Sequence, residues 1–147
     1  MEFKDFSLGI SQTKVFRFVE ELSAGNIVAT ICKKCGQKYY PPRSDCCKCM
    51  ESQMEWIPIS VEGNLFTFTK IYIPPKHFAP IQPLMPFSNI QFDPCAIGIL
   101  EVEDKLRIMG WIPKVELKKI KIGMRMKASP IRLQDGRITI ILEPLNP

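Results

Sequence analysis

The chain opens with a pattern of apolar positions that is typical of an amphipathic helix. Four apolar residues recur at the spacing of a single helix face: Val15, Phe18, Val19 and Leu22. Ser11 is a suitable N-cap, and Gly25 stands where a residue in the left-handed conformation would end the helix. We therefore predict an N-terminal helical segment within residues 1–30, which packs on its own chain or docks on a partner protein.

From Val61 onward the pattern changes to one typical of β-strands. Residues 64–73 are dominated by β-branched and aromatic side chains, with Phe66, Phe68 and Tyr72 at alternating positions that we assign to the core. Further strand candidates, separated by turn sequences, lie at residues 87–92, 96–102, 105–112, 124–133 and 137–143. Short strands at this density predict a small closed or nearly closed barrel over residues 61–147, with a short helix or turn at 115–122.

Residues 31–60, between helix and barrel, contain two Cys-x2-Cys pairs. Their members are Cys32, Cys35, Cys46 and Cys49. Zinc is commonly held by four thiolates in a tetrahedron, and each pair presents two of them from one tight loop. Gly36 permits the positive φ that such a loop needs, whereas Met50 takes the equivalent place after the second pair. The pattern predicts a structural zinc ion, because a shell of four thiolates leaves no position open for a substrate.

Six cysteines also allow a framework of three disulfides. The paired spacing and the expected reducing compartment argue against that alternative. Cys47 is a poorer ligand than Cys46, because it would form a Cys-x-Cys pair with Cys49, and Cys95 is most simply a small buried residue. The apolar stretch 55–60 is interpreted as a connector between ribbon and barrel.

Composition adds few constraints. The 147 residues carry a net charge of +5, most of it in the second half, which suits a phosphate-bearing partner without choosing among nucleotide, coenzyme and nucleic acid. No apolar run approaches the roughly 20 residues that span a bilayer. The first residues lack the pattern of a secretory signal, so we expect a cytoplasmic protein with no membrane association.

A proline-rich segment interrupts the barrel sequence. Residues 73–87 contain five prolines and His77, the only histidine, so this stretch is predicted to be a loop. Loops of this length inside a compact domain are commonly functional. Because no Ser, Cys or Asp partner for His77 is evident, we do not assign it a catalytic role.

The cysteine region resembles a known family. Its string reads Cys32-x2-Cys35-Gly36, then Tyr40-Pro41-Pro42-Arg43, then Cys46-x2-Cys49, and with the barrel sequence it resembles the acyl-CoA-associated proteins of domain-of-unknown-function family 35. The resemblance implies a mainly β fold with an N-terminal helical segment, a rubredoxin-like zinc ribbon and a C-terminal OB-fold barrel. The chain departs from the family pattern at Cys47, where proline is usual, and at Pro86-Phe87, where Pro-Tyr is common.

The resemblance implies a non-catalytic accessory or scaffold protein. Such relatives accompany enzymes of the thiolase superfamily, bridging acetoacetyl-CoA thiolase and hydroxymethylglutaryl-CoA synthase and helping to hold coenzyme A. Candidate residues for an acyl-CoA ligand or a partner are Arg43, His77, Phe78, Phe87, Lys114, Lys118, Lys119, Lys121 and Arg125. The cations among them, with Lys127, would suit phosphates, although an ordinary solvated basic face explains them as well.

Two other function classes remain. A single-stranded nucleic-acid-binding module is the first, since zinc ribbons and OB-folds both serve that role. An independent enzyme is the second, and against it we find no Ser-His-Asp set, paired carboxylates, phosphate-binding glycine loop or open metal site in the sequence. We therefore expect an accessory protein rather than an enzyme.

Overall fold

The computed structural model describes residues 14–72, 94–133 and 136–145. This part of the chain forms one α-helix, α1 (Lys14–Ser23), and a single 3-10 turn at Glu103–Lys105. Its strands, in chain order, are β1 (Val28–Cys32), β2 (Lys38–Tyr39), β3 (Met54–Pro58), β4 (Glu62–Ile71), β5 (Cys95–Glu101), β6 (Arg107–Trp111), β7 (Arg125–Arg132) and β8 (Ile138–Pro144). The fold is mainly β, as predicted.

Helix α1 ends as its sequence predicts. Gly25 has a φ of 88°, and the N–H groups of Gly25 and Asn26 donate to the carbonyls of Leu22 and Glu21, which forms a Schellman cap. The helix contacts β1 of the ribbon and also β7 and β8 of the barrel. The apolar face is only partly covered, because Leu22 packs on the core whereas Val19 is 45% exposed.

The ribbon is a three-stranded antiparallel sheet in the order β2-β1-β3. Our interpretation of residues 55–60 as a connector was wrong over most of its length, because Glu55–Pro58 belong to strand β3, which pairs with the whole of β1. Strand β1 begins at Val28, inside the range assigned to the helical segment. A division of the chain at residues 30 and 60 stays a prediction.

The second sheet closes into a barrel. Its strands follow the order β4-β5-β6-β8-β7, and β7 returns to pair with the start of β4 at Glu62–Asn64. All pairs are antiparallel except β6 with β8, which meet in parallel at Trp111 and Ile141. This is the five-stranded arrangement of an OB-fold. Residues 115–122 form turns, without a helix.

The prediction that Phe66 and Tyr72 lie in the barrel core was wrong. A β-bulge between Leu65 and Thr67 shifts the alternation of β4 by one residue. Leu65 and Phe68 both face the core, whereas Phe66 is turned outward and is 43% exposed. Tyr72 lies beyond the end of the strand and is exposed.

Ribbon and barrel share one continuous apolar core. Ile27, Ala29 and Ile59 pack in the same buried cluster as the barrel residues Leu100 and Leu142. At the surface, Lys38 of β2 pairs with Asp104 in the turn after β5, and the Ser60 N–H donates to the Glu103 carboxylate at 3.1 Å. The orientation of the ribbon is therefore fixed by packing and by these polar contacts. The predicted strand at 87–92, Ser11, His77, Phe78 and Phe87 lie outside the described residues.

Candidate metal centre

The two cysteine loops have the same backbone pattern. In the first, the Gly36 N–H donates to the Cys32 carbonyl at 2.9 Å, and in the second, the Met50 N–H donates to the Cys46 carbonyl at 2.9 Å. Gly36 and Met50 both have positive φ, of 72° and 58°. The equivalence predicted from the spacing is therefore present in the backbone, and it holds although the second loop lacks a glycine.

These loops bring the four predicted cysteines together. Their sulfur atoms all lie within 4.8 Å of one another, and the Sγ–Sγ distances are 3.5 Å for Cys32–Cys49 and 3.5 Å for Cys35–Cys46. Sulfurs of a tetrahedral zinc site with Zn–S near 2.3 Å lie about 3.8 Å apart. None of the four forms a disulfide. The donor set and its dimensions fit a structural zinc ion in a ribbon with four cysteine ligands.

The electrostatics of the sulfurs call for a cation. The hydrogen bond with the Tyr39 hydroxyl lowers the pKa of Cys46 to about 6, whereas burial raises the pKa of Cys49 to about 12. Four neighbouring thiols cannot all ionise unless positive charge compensates them. A divalent metal ion supplies that charge, and the closed shell makes its role structural.

A second layer of side chains surrounds the second loop. The Tyr39 hydroxyl lies 3.2 Å from Cys46 Sγ and accepts a hydrogen bond from the Cys47 N–H at 3.1 Å. The predicted site residue Arg43 lies over the Tyr39 ring, and its Nη1 donates to Cys47 Sγ at 2.7 Å. Arg43 thus makes its contacts within the ribbon, and Cys47 is exposed outside the sulfur cluster.

Strain at Met50 gives a first prediction. A non-glycine residue in the left-handed region costs roughly 1–2 kcal/mol, and the Met50 side chain, 82% exposed, packs on little. We expect Met50→Gly to raise the free energy of unfolding by up to about 1 kcal/mol, because glycine adopts this φ without a steric cost.

Gly36→Met is the matched control at the equivalent position. A Cβ atom added at Gly36 meets no atom within 4 Å, so the backbone conformation is the main obstacle to a side chain at this position. The melting temperature of the zinc-loaded protein should rise with Met50→Gly and fall with Gly36→Met. A lower melting temperature for Met50→Gly, or an unchanged one for Gly36→Met, would contradict the equivalence of the two loops.

Three of the six predicted phosphate-binding cations of the barrel are engaged with carboxylates. Lys114 pairs with Glu143, Lys119 with Glu116, and Arg125 with Glu62. Among the described residues, the side chains of Lys118 and Lys121 make no ion pair. Lys127 stands opposite Glu62 on β4 and Glu143 on β8 in the strand register. Half of these cations are therefore engaged in ion pairs on the barrel surface.

Sequence reasoning missed an apolar face on the outside of the barrel. Met109, which is 62% exposed, lines a shallow groove of about 220 Å³ together with Thr67, Thr69, Ile97 and Ile99 among others, and Phe66 is turned outward directly before Thr67 on β4. The Arg107 guanidinium lies 3.8 Å from the centroid of the Phe66 ring and is paired with Glu101 at 3.2 Å. This face could not be predicted from the alternation of apolar and polar residues along β4, because the bulge reverses that alternation at Phe66.

A ribbon with four converging cysteines, joined to a five-stranded closed barrel, defines a zinc-ribbon/OB-fold protein. Models of two domains of ChsH2 match the chain: the rubredoxin-like zinc ribbon domain over residues 19–55 and the C-terminal OB-fold domain over residues 56–129. The chain belongs to the DUF35 family of zinc-ribbon/OB-fold proteins, which confirms the family predicted from the cysteine region.

Several curated proteins are similar in sequence. A DUF35 domain-containing scaffold protein of Methanocaldococcus jannaschii is 30% identical over 118 residues, which cover 77% of this chain and 76% of that protein. The benzoylsuccinyl-CoA thiolase subunit BbsA of Geobacter metallireducens is 23% identical over 75% of this chain and 66% of its own length. The Thauera aromatica protein of the same name is 40% identical over 42 residues, 29% of each chain.

Solved structures share the fold. The Ltp2-ChsH2(DUF35) aldolase superposes with a TM-score of 0.71 at 17% identity, covering 94% of this chain and 98% of that one. A DUF35 protein of unknown function from Sulfolobus solfataricus gives 0.56 at 19% identity, covering 87% and 82%. At these identities the likeness concerns the fold alone. In the described part of the chain, no helix has the length and apolar character to cross a bilayer.

Proposed function

We propose that this protein is an accessory subunit that docks on an enzyme of the thiolase superfamily or of the hydroxymethylglutaryl-CoA synthase type, and that acyl-CoA is the ligand of the complex. The observation that carries the proposal is the apolar outer face of the barrel. Ile99 and Met109 face each other across paired strands and line a groove, Met109 is 62% exposed, and Phe66, 43% exposed, is turned outward on the neighbouring strand β4. Exposed apolar surfaces of this kind commonly mark protein interaction sites.

Two further observations support an accessory role. The metal shell is closed by four sulfurs, so the ion has no position for a substrate. Relatives of this chain carry the names scaffold protein and thiolase subunit. The ribbon and the barrel share one core, so they form a rigid unit with an apolar face on the barrel. Such a unit suits a protein that positions a partner protein.

Two lysines and the groove on the barrel support the proposal that acyl-CoA binds. Coenzyme A needs cations for its phosphates and an apolar groove for its pantetheine arm. Lys118 and Lys121 make no ion pair among the described residues, so their charges are available to phosphates. The groove beside Met109 has apolar walls that suit the arm.

Co-purification tests the docking role. The tagged full-length chain is recovered from its native cells under reducing conditions, and the proteins that accompany it are identified by mass spectrometry. We expect a thiolase-superfamily or synthase-type enzyme in a constant ratio, and titration calorimetry of that complex with coenzyme A should give saturable binding. Recovery of the chain alone, or with unrelated proteins, would contradict the docking role.

A pair of methionine variants makes this test specific to the barrel face. Met109→Lys places a charge on the apolar groove and should abolish recovery of the enzyme, because burying an unpaired ammonium in an interface is costly. Met50→Lys puts the same charge at a methionine on the ribbon that is exposed even more, 82% against 62%, and should leave recovery unchanged. Equal recovery with both variants would exclude the barrel face as the docking surface.

Single-stranded nucleic-acid binding is the second candidate. It is favoured by the outward position of Phe66, whose ring is stacked with Arg107, since exposed aromatic rings beside cations provide stacking platforms for bases. Fluorescence anisotropy with labelled single-stranded DNA and RNA separates the two candidates. Salt-dependent binding that Phe66→Ala removes would favour this function, and no binding at low salt would exclude it.

A further inference from the structure

The second cysteine loop is held by a tyrosine that the zinc-site pattern does not include. Tyr39 lies at the end of β2, and its hydroxyl reaches across to the loop that carries Cys46 and Cys47. The oxygen is 3.2 Å from Cys46 Sγ and 3.1 Å from the Cys47 backbone nitrogen. Both distances are within the range of hydrogen bonds, since contacts to sulfur are longer than those to oxygen.

The direction of these hydrogen bonds follows from the chemistry of the ligand. A cysteine that binds a metal does so as a thiolate, which has no proton to donate. The Tyr39 O–H must therefore donate to Cys46 Sγ, while its oxygen accepts from the Cys47 N–H. Both hydrogen-bonding capacities of the phenol are used on consecutive residues of one metal-binding loop.

Other contacts fix the tyrosine in this position. The Arg43 guanidinium lies 5.5 Å from the centroid of the Tyr39 ring, and Nη1 of the same group donates to Cys47 Sγ. The backbone of Arg43 is bound on both sides to the buried hydroxyl of Thr30, with the N–H donating at 2.9 Å and the carbonyl accepting at 3.2 Å. Tyr39 is thus enclosed between the metal-binding loop and an arginine that is anchored to β1.

We propose that Tyr39 is a positioning residue of the metal centre, which holds Cys46 against the ion through the O–H to Sγ hydrogen bond and is itself held by Arg43. Cys46 is 1% exposed, so bulk water supplies no donor to its sulfur in the folded protein. Partners of this kind orient metal ligands, and their removal costs metal sites about 10–100-fold in affinity. Tyr39 would therefore slow the release of a zinc ion held by these four cysteines.

Zinc transfer to a chromogenic chelator in excess tests the inference in the full-length, zinc-loaded protein. We expect Tyr39→Phe to release zinc about tenfold faster or more, because the phenyl ring fills the same space without the donor. Tyr40→Phe is the matched control. Among the described residues the Tyr40 hydroxyl makes no hydrogen bond with a cysteine, and its ring packs edge-on against Phe18, so its removal should leave the rate unchanged.

A spectroscopic readout separates the hydrogen bond from general loosening of the ribbon. In the protein loaded with Co²⁺, an O–H donor stabilises the lone pairs of the thiolate and raises the energy of the sulfur-to-cobalt charge-transfer band. Tyr39→Phe should therefore shift this band to longer wavelength, and Tyr40→Phe should not. Faster release by Tyr39→Phe without a band shift would overturn the proposal, because lost packing alone would then explain it.

A second variant covers the case in which Tyr39→Phe does not fold. Arg43→Met removes the stacked cation and the donor to Cys47 but keeps the phenol. We expect faster zinc release than in the wild type with a smaller band shift, because Tyr39 loses its outer support. If both variants fold, release of zinc at the wild-type rate from both would overturn the proposal. If only Arg43→Met folds, release at the wild-type rate from that variant would overturn it.

Discussion

Replacing Cys32 by serine is expected to remove the zinc ion and to destabilise the whole chain. Cys32 is buried and is one of the four converging sulfurs, and the binding energy of structural zinc in finger peptides is on the order of 10–16 kcal/mol. Even a loss of ~4 kcal/mol would lower the melting temperature of a chain of this length by about 8–16 °C. Metal analysis after dialysis and a thermal melt followed by circular dichroism measure both effects.

The shared core makes the effect of this substitution global. Ile27 and Ala29 flank the start of β1 and pack in the same cluster as barrel residues, so disorder in the ribbon uncovers part of the barrel core. We expect one cooperative transition at lower temperature, without a separate early step. Cys47→Ser is the control, since Cys47 is exposed and outside the sulfur cluster. The assignment of Cys32 as a zinc ligand would be contradicted if Cys32→Ser changed neither the zinc content nor the melting temperature. It would also be contradicted if Cys32→Ser and Cys47→Ser lowered both quantities equally.

The second large effect is expected at Gly63, where β4 enters the barrel. A Cβ atom at this position would lie 2.0 Å from the carbonyl oxygen of Glu101 and 2.8 Å from the carbonyl carbon of the same residue. Both are backbone atoms of the paired strand β5, so they cannot move away without distorting that strand. We expect Gly63→Ala to lower the free energy of unfolding by about 3 kcal/mol or more, at the upper end of the range for overpacking. Chemical denaturation of the zinc-loaded protein measures the loss.

Gly98→Ala is the matched control for this prediction. Gly98 is also buried, but the atoms that a Cβ would meet are the terminal methyl carbons of Leu65 and Ile112, at 2.7 and 2.9 Å. Side-chain ends move at low cost, so the expected loss is only about 1–2 kcal/mol. If Gly98→Ala lowered the free energy of unfolding as much as Gly63→Ala or more, the close approach of the Glu101 backbone would not be the reason for glycine at position 63.

Features that depend on local chemistry could be predicted from the sequence. The Schellman cap at Gly25 requires a residue tolerant of positive φ, and the Cys-x2-Cys pairs can converge only in a few ways. The barrel strands in the described residues begin and end within about two residues of the predicted bounds, because β-branched runs alternate with turn residues. These signals are read from a few adjacent positions.

Features that depend on distant partners could not be predicted. Strand β3 is short and ends at Pro58, so its identity as a strand comes from pairing with β1 rather than from its own pattern. The bulge that turns Phe66 outward has no glycine to mark it. Likewise, the carboxylates that pair with Lys114 and Arg125 come from β8 and β4, which the sequence places far from both cations.

X-ray absorption at the zinc edge tests the central claim most directly. The protein is purified under reducing conditions without chelators, and its metal content and zinc coordination are measured on the same sample. The four converging cysteines predict one zinc ion per chain with four sulfur neighbours at about 2.3 Å. Absence of zinc, or a shell containing nitrogen or oxygen ligands in place of any of the four sulfurs, would contradict the account.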